Sequence, residues 1–110
     1  MVLVARSNDH LEALESELRM INPELGLFSR PLDLRDQAEV ERFCDWLDES
    51  GPTVNLLINN AGLGDHGPFV DSEWERVDSM LRVNVNALTY LTFRVLPAMS
   101  LSNGLCTKRK

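Results

Sequence analysis

The fold of this chain is decided by the stretch Leu56-Leu57-Ile58-Asn59-Asn60-Ala61-Gly62, an apolar run that ends in two amides, a small residue and a glycine. Residues 54–58 have the length and composition of a buried strand. The two asparagines offer uncharged hydrogen-bond donors and acceptors, and the glycine lets backbone approach a ligand closely. Because ligands of open α/β sheets bind beyond the carboxyl ends of the strands, we expect this stretch to face a polar ligand.

Strands and helices alternate on both sides of this stretch. Apolar, β-branched residues predict a buried strand at residues 1–5, and a further strand is predicted at residues 25–34, where Pro31 weakens the middle. Together with residues 54–58 this gives about three strands, each followed by a helical pattern. Such alternation is typical of a doubly wound α/β fold with a parallel sheet.

Three apolar stripes at helical spacing predict about three helices, of which the last runs from about residue 72 toward Pro97. Each begins at candidate N-cap residues: Ser7 or Asn8, the capping box Asp36/Glu39, and the capping box Ser72/Glu75. The stripes consist of Leu11, Leu14, Leu18 and Ile21, then Val40, Phe43, Cys44 and Leu47, then Trp74, Val77, Leu81, Val85, Leu88 and Leu91.

Composition bounds the class of protein. The 110 residues leave room for one small domain, and 44% apolar with 25% charged residues is ordinary for a globular protein. A net charge of −6 argues against nucleic acid or an anionic membrane as partner. The apolar start of the chain turns polar at Arg6, too early for a signal peptide or membrane span, so a cytoplasmic location is expected. Cys44 and Cys106 lack CxxC spacing and indicate neither a disulfide nor a metal site.

Lysine is distributed unevenly along the chain. Residues 1–107 contain eight arginines and no lysine, whereas Lys108 and Lys110 lie among the last three residues. We therefore predict a partial domain at residues 1–99 and a divergent, disordered tail at residues 100–110. A truncated chain with an unrelated tail is the hypothesis that this break supports, and an unbroken reading frame in an intact relative would contradict it.

A glycine-rich loop follows the deciding stretch. Gly62, Gly64 and Gly67 have the G-x-G-x-x-G spacing of a dinucleotide loop. In such a loop the third glycine lies in the opening turn of a helix, but here Pro68-Phe69-Val70 intervenes before the next helix cap. No acid lies about 20 residues further on, as that fingerprint requires. A flexible loop is the favoured interpretation.

Two charged residues at strand ends are ambiguous by themselves. Arg6 follows the first strand, where an arginine can accommodate a 2′-phosphate, but a solvated arginine before a helix is the simpler interpretation. Asp33 follows the second strand and, taken alone, is best explained as a turn residue or helix cap.

Several stretches match, in order and in register, the pattern of one enzyme family. They are Val2-Leu3-Val4-Ala5-Arg6-Ser7, Asp33-Leu34, Asn59-Asn60-Ala61-Gly62, Asn84-Val85 and Val95-Leu96-Pro97-Ala98-Met99. The third is specific, and the others are weak individually. Over about residues 1–99 the chain resembles a segment of an NAD(P)-dependent short-chain dehydrogenase/reductase.

This resemblance implies a partial Rossmann-type sheet that binds a nicotinamide cofactor. The cofactor-binding residues that it implies are Arg6, Ser7, Asp33, Leu34, Asn60, Ala61 and Gly62. The first two would contact the 2′-phosphate, which favours NADP(H) over NAD(H), the next two would hold the adenine, and the last three would line the nucleotide site. Asn84 is the implied catalytic residue, since its backbone would help hold a water molecule of the proton relay. His66 receives no role.

The same resemblance implies parts that this sequence lacks. The family's first strand and its Thr-Gly-x-x-x-Gly-x-Gly loop would precede Met1, and its catalytic serine and Tyr-x-x-x-Lys pair would follow the long helix. Tyr90 and Arg94 mimic the last spacing but lie within that helix, so aromatic packing is favoured. The missing strand would lie between residues 2–5 and 54–58. We therefore expect either direct pairing of those two strands or a poorly ordered chain.

Three function hypotheses follow. The first is a segment of an NADP(H)-dependent oxidoreductase that transfers hydride between nicotinamide and a small carbonyl or alcohol substrate, inactive as this chain and with weak cofactor binding. The second is a non-catalytic remnant or interaction module that pairs through the long helix, residues 72–99, with an intact relative or with itself. The third, a receiver-like signalling domain, needs a lysine late in the fold, and the sequence offers none before Lys108.

Overall fold

The computed structural model describes residues 1–102, and the side chains of residues 1–99. The chain divides into two compact units, Met1–Asp33 and a second that begins at Leu34. Each unit is described by itself below. Most of the predicted tail, residues 103–110, lies outside the described residues.

The first unit is a parallel β-α-β arrangement, as the sequence predicts. It consists of β1 (Val2–Ala5), α1 (Asn8–Ile21) and β2 (Phe28–Pro31), and Leu3 stands opposite Ser29 in the parallel register. The helix packs on both strands and buries Leu11. The Ser29 hydroxyl of β2 donates to Glu15 of α1 at 2.8 Å. Hydrogen bonds from Arg19 and Ser29 lower the pKa of the Glu15 carboxyl.

The strand β1 has one paired edge and one open edge. The carbonyls of Met1 and Ala5 accept from the amides of Phe28 and Leu32 at 3.0 and 2.9 Å. The backbone hydrogen-bonding groups of Met1 and Ala5 therefore face β2. Since successive residues of a strand point to opposite sides, the backbone groups of Val2 and Val4 face the other edge. The sheet that the described residues form has two strands only.

The prediction of a third strand at residues 54–58 is wrong. Residues 54–58 form no strand, and the side chains of Leu56 and Ile58 are 69% and 75% exposed. The composition of this run favours a buried strand, but a strand needs a neighbour for its backbone N–H and C=O groups. In the doubly wound order that neighbour is a strand that this sequence does not contain. The α/β class is therefore confirmed with a sheet of two parallel strands.

The second unit is helical. Its elements are α2 (Gln37–Glu49), a 3-10 turn (Phe69–Asp71), α3 (Trp74–Leu81), a π segment (Arg82–Ala87) and α4 (Leu88–Ser102). The last three form one continuous run, which is the predicted long helix with a π segment in its middle. The helix α2 packs against the π segment and α4, and the buried apolar side chains are Val40, Cys44, Val83, Ala87, Leu91 and Val95.

Of the two helix caps predicted in the second unit, one is confirmed and one is wrong. The Asp36 carboxylate accepts from the amides of Ala38 and Glu39 at 2.9 and 3.1 Å and caps α2. The capping box of Ser72 does not form, because the preceding 3-10 turn engages the Ser72 amide with the Phe69 carbonyl. The helix α3 instead follows Glu73, whose side chain makes no capping hydrogen bond.

Candidate functional site

The predicted ligand-facing residues lie against the long helix of the second unit. Asn84 holds Leu63 by two hydrogen bonds: its Oδ1 accepts from the Leu63 amide at 2.9 Å, and its Nδ2 donates to the Leu63 carbonyl at 2.7 Å. A methyl group placed on Gly62 would lie 3.7 Å from the Asn84 Oδ1, an ordinary contact. The structure therefore brings the predicted catalytic Asn84 together with the predicted cofactor-binding Gly62.

A second contact holds the other end of this segment. The Asn59 Nδ2 donates to the Thr92 Oγ1 at 3.1 Å, and the Thr92 hydroxyl donates to the Leu88 carbonyl at 2.8 Å. Between the two contacts Asn60, Ala61 and Gly62 are exposed. The side-chain amide of Asn60 makes no hydrogen bond within the described part of the chain, so it is available to a ligand.

Asn84 lies within the π segment. The amide of Leu88 bonds to the carbonyl of Val85, whereas in a regular α-helix it would bond to that of Asn84, four residues back. The amide that normally engages the Asn84 carbonyl is thus used elsewhere. Single π turns inside α-helices occur frequently at functional sites. Neither the π segment nor the contact between Asn59 and Thr92 was evident in the sequence, because threonine in a helix carries no distinctive pattern.

The first unit holds Arg6, Ser7 and Asp33. Ser7 caps α1, and its hydroxyl accepts from the His10 amide at 3.3 Å. Arg6 stands immediately before this cap, is exposed, and forms no ion pair with any residue in the range 1–102. A free guanidinium beside a helix N-terminus suits an anionic group. Asp33 closes this unit and is half-buried, as is Leu34, the first residue of the second unit.

Tyr90 and Arg94 serve packing within the second unit. The Arg94 guanidinium donates to the Tyr90 hydroxyl at 2.9 Å and to the carboxylates of Asp45 and Asp48 at 2.9 and 2.6 Å. These hydrogen bonds, above all the one that Asp48 accepts, raise the pKa of Arg94. Arg94 therefore ties α4 to α2, and Tyr90 contacts Arg94 within α4. The pKa of the Cys44 thiol is raised by burial, as expected of a core residue.

The glycine-rich loop does not enter a helix as a dinucleotide loop would. Gly67 has a φ of +126°, and the next α-helix begins only at Trp74. Asp65 accepts from the His66 amide at 2.9 Å and pairs with Arg76 of α3 at 3.1 Å. The loop is thus fastened to α3 by its acidic residue. Within the described residues no group of three or more His, Cys, Asp or Glu side chains is placed to hold a metal ion.

Several known proteins are similar to this chain in sequence. The family profile described as short chain dehydrogenase matches residues 1–105. A short chain dehydrogenase of Aspergillus nomiae is 29% identical over an alignment of 102 residues, and the match covers 90% of this chain and 26% of that protein. An NADP-dependent 3-hydroxy acid dehydrogenase of Shigella flexneri is 32% identical over 88 residues, 77% of this chain and 36% of that protein.

Solved structures share the fold. A short-chain dehydrogenase from Sphingobium yanoikuyae, in complex with NADPH, has a TM-score of 0.81 and 33% identity, and the match covers 92% of this chain and 39% of that one. The chain therefore spans between a quarter and two-fifths of the length of these relatives. Because the profile match runs through nearly the whole sequence, the chain belongs to the short-chain dehydrogenase family.

Proposed function

We propose that this chain is a segment of an NADP(H)-dependent oxidoreductase that transfers hydride between nicotinamide and a small carbonyl or alcohol substrate. The observation that carries this proposal is the clasp of two hydrogen bonds between Asn84 and Leu63. The clasp brings Asn84 beside the exposed residues 60–62; we assign Asn84 to the proton relay and residues 60–62 to the nucleotide. Relatives described as NADP-dependent or as bound to NADPH support the choice of cofactor.

Each proposed cofactor residue has a chemical role. The free Arg6 guanidinium, together with the Ser7 cap, binds the 2′-phosphate, since an arginine at this strand end distinguishes NADP from NAD. Asp33 and Leu34 hold the adenine. The exposed Asn60 amide and the small residues that follow it line the nucleotide. Such binding is weak in this chain, because no glycine-rich loop is present to receive the pyrophosphate at a helix N-terminus.

The role proposed for Asn84 uses both of its polar groups. Its side chain bonds to both backbone groups of Leu63 and so holds the backbone of the nucleotide-facing segment. Its backbone carbonyl, whose usual partner amide bonds to Val85 instead, holds a water molecule of the proton relay. The general acid that such a relay serves is a tyrosine made more acidic by a lysine, and neither occurs in this sequence at the required place. The chain by itself therefore has no turnover.

Cofactor preference tests this proposal. NADPH and NADH are titrated into the purified 110-residue chain, and binding is followed by nicotinamide fluorescence. Arg6→Ala is expected to weaken NADPH binding by about tenfold, the size expected for one charged hydrogen bond, and to leave NADH binding unchanged. Arg42→Ala, an exposed arginine of α2, is the control. Equal affinity for the two cofactors, or no effect of Arg6→Ala, would refute the NADP(H) assignment.

Turnover is tested separately. The same chain is incubated with NADPH and a panel of aldehydes and ketones, and oxidation of NADPH is measured against a blank without protein. We expect no oxidation above the blank, because a proton donor is missing. Oxidation that depends on both protein and carbonyl would overturn the assignment of the chain as inactive.

A second candidate function is an interaction module. The long helix exposes apolar side chains at Trp74, Leu81, Val85, Leu88, Phe93 and Leu96. Apolar surface of this extent on one helix run favours a helical partner, and an intact member of the same family is the proposed one. Capture of such a relative by the wild-type chain and loss of capture by Val85→Glu is the expected result, with Ala38→Glu, at an exposed residue of α2, as the control. Sedimentation of the chain alone distinguishes self-association.

No helix among residues 1–102 is long and apolar enough to cross a membrane. The cytoplasmic location, the lack of a nucleic-acid partner and the origin of the tail stay predictions from the sequence. Fractionation of cells that express the chain with a small epitope tag tests the first of these.

A further inference from the structure

The residues assigned to the nucleotide are fastened to the long helix at both ends. Asn59 bonds to Thr92, and Leu63 bonds to Asn84. We call residues 59–63 the bracketed segment. Its first residue contacts Thr92 and its last contacts Asn84, which comes earlier in the helix, so the segment runs antiparallel to the helix. Four residue steps reach at most about 13 Å, in fully extended backbone. Eight residues of helix rise by about 12 Å, which matches that span.

A regular α-helix would not align the two contacts. Eight steps of about 100° bring Thr92 about 80° away from the direction of Asn84. A π turn accommodates one extra residue, and since the segment Arg82–Ala87 includes Asn84, part of that extra residue falls between Asn84 and Thr92 and brings the two closer to alignment than about 80°. The structure agrees with this alignment, because Thr92 reaches Asn59 while the preceding Leu91 is buried. The π segment thus brings Asn84 and Thr92 to one side of the helix.

The orientation of the Thr92 hydroxyl is fixed by a hydrogen bond within its own helix. It donates to the Leu88 carbonyl at 2.8 Å, which leaves an oxygen lone pair for the Asn59 Nδ2 at 3.1 Å. A side chain that is half-buried and held by its own helix in this way loses little further freedom when it accepts a second hydrogen bond. Valine has the same shape as threonine but neither the donor nor the acceptor.

We propose that Thr92 is a positioning residue for the nucleotide-facing residues 60–62, acting through Asn59, and that the π segment aligns it with Asn84. The inference rests on the proposed function, because it concerns the same segment. Thr92 contacts no cofactor in this assignment. It fixes one end of the bracketed segment, as Asn84 fixes the other. Because the segment is already held, less conformational entropy is lost when a nucleotide binds to residues 60–62.

The test compares three variants of the full chain. Thr92→Val removes the hydroxyl, Thr92→Ser restores it, and Thr89→Val changes an exposed threonine of the same helix whose side chain makes no hydrogen bond within residues 1–99. Two quantities are measured: the NMR resonances of the Asn59 side-chain amide, and the Kd for NADPH from nicotinamide fluorescence. Circular dichroism verifies that each variant keeps its helix content.

We expect Thr92→Val to move the Asn59 amide resonances toward their solvent-exposed positions and to raise the NADPH Kd by about threefold to tenfold, the loss of one hydrogen bond. Thr92→Ser should behave as wild type in both, as should Thr89→Val. An unchanged Kd, or a Thr92→Ser variant that fails to rescue, would overturn the positioning role. Failure of the wild-type chain to bind NADPH would instead overturn the proposed function, while the Asn59 resonances would still decide whether the contact with Thr92 exists.

Discussion

Removal of the Asn84 side chain is the sharpest test of the clasp. Asn84→Ala deletes both hydrogen bonds to Leu63, which measure 2.9 and 2.7 Å. Each such bond contributes about 0.5–1.5 kcal/mol net, so the clasp as a whole stabilises the local structure by about 1–3 kcal/mol. Because Asn84 is exposed, the freed backbone groups of Leu63 turn to water, and the lower end of this range applies. A local loss of about 1 kcal/mol corresponds to about a fivefold effect.

The assay is native-state hydrogen exchange of the Leu63 amide, which donates to Asn84 directly. Its protection factor should fall by about fivefold in Asn84→Ala. Asn86→Ala is the matched control, since Asn86 lies in the same π segment, is exposed, and its side chain makes no hydrogen bond within residues 1–99. Equal protection of the Leu63 amide in wild type and Asn84→Ala would refute the clasp.

Asn84→Asp extends this test with a pH dependence. The carboxylate oxygen that replaces the amide nitrogen faces the Leu63 carbonyl at the distance of the present 2.7 Å hydrogen bond. This repulsion disfavours the charged form, so the folded-state pKa of the introduced carboxyl is raised above its unfolded value. The clasp should then be intact at low pH, where the protonated acid donates, and lost as pH rises through the raised pKa. Protection of Leu63 that is independent of pH would contradict the geometry.

Three further outcomes are expected. Gly51→Ala should lower the melting midpoint, because a methyl group there would lie 2.7 Å from the Leu47 Cα and force the end of α2 to shift; a midpoint equal to wild type would contradict this close approach. The Glu15 pKa is lowered from 4.5, so its hydrogen bonds stabilise the first unit above that pH and are lost as pH falls through the folded-state pKa. Glu15→Gln should therefore show a smaller drop in midpoint on acidification, measured by circular dichroism, than wild type does. Finally, the whole chain should melt over a broad range, since the edge of β1 is open and residues 54–58 form no strand; a sharp two-state calorimetric transition would be evidence against it.

Local chemistry made part of this structure predictable. Ser7 and Asp36 cap their helices as expected, because a side-chain oxygen placed before an apolar stripe needs only amides two or three residues away. The capping box at Ser72 failed because a 3-10 turn, set by the preceding Pro68-Phe69-Val70, had already engaged its amide. A cap depends on a few neighbouring residues, and the prediction failed where a competing local structure came first.

The sequence by itself determined the family, the β-α-β arrangement of the first unit and the residues to consider for a nucleotide, because all of these depend on residue types at fixed spacing. Only the tertiary structure decided that residues 54–58 form no strand, since a strand requires a partner elsewhere in the chain. It also decided that a π segment aligns Asn84 with Thr92, and that the stretch Asn59–Leu63 is held at both ends. These contacts join residues 21 and 33 positions apart, and no local pattern records such a distance.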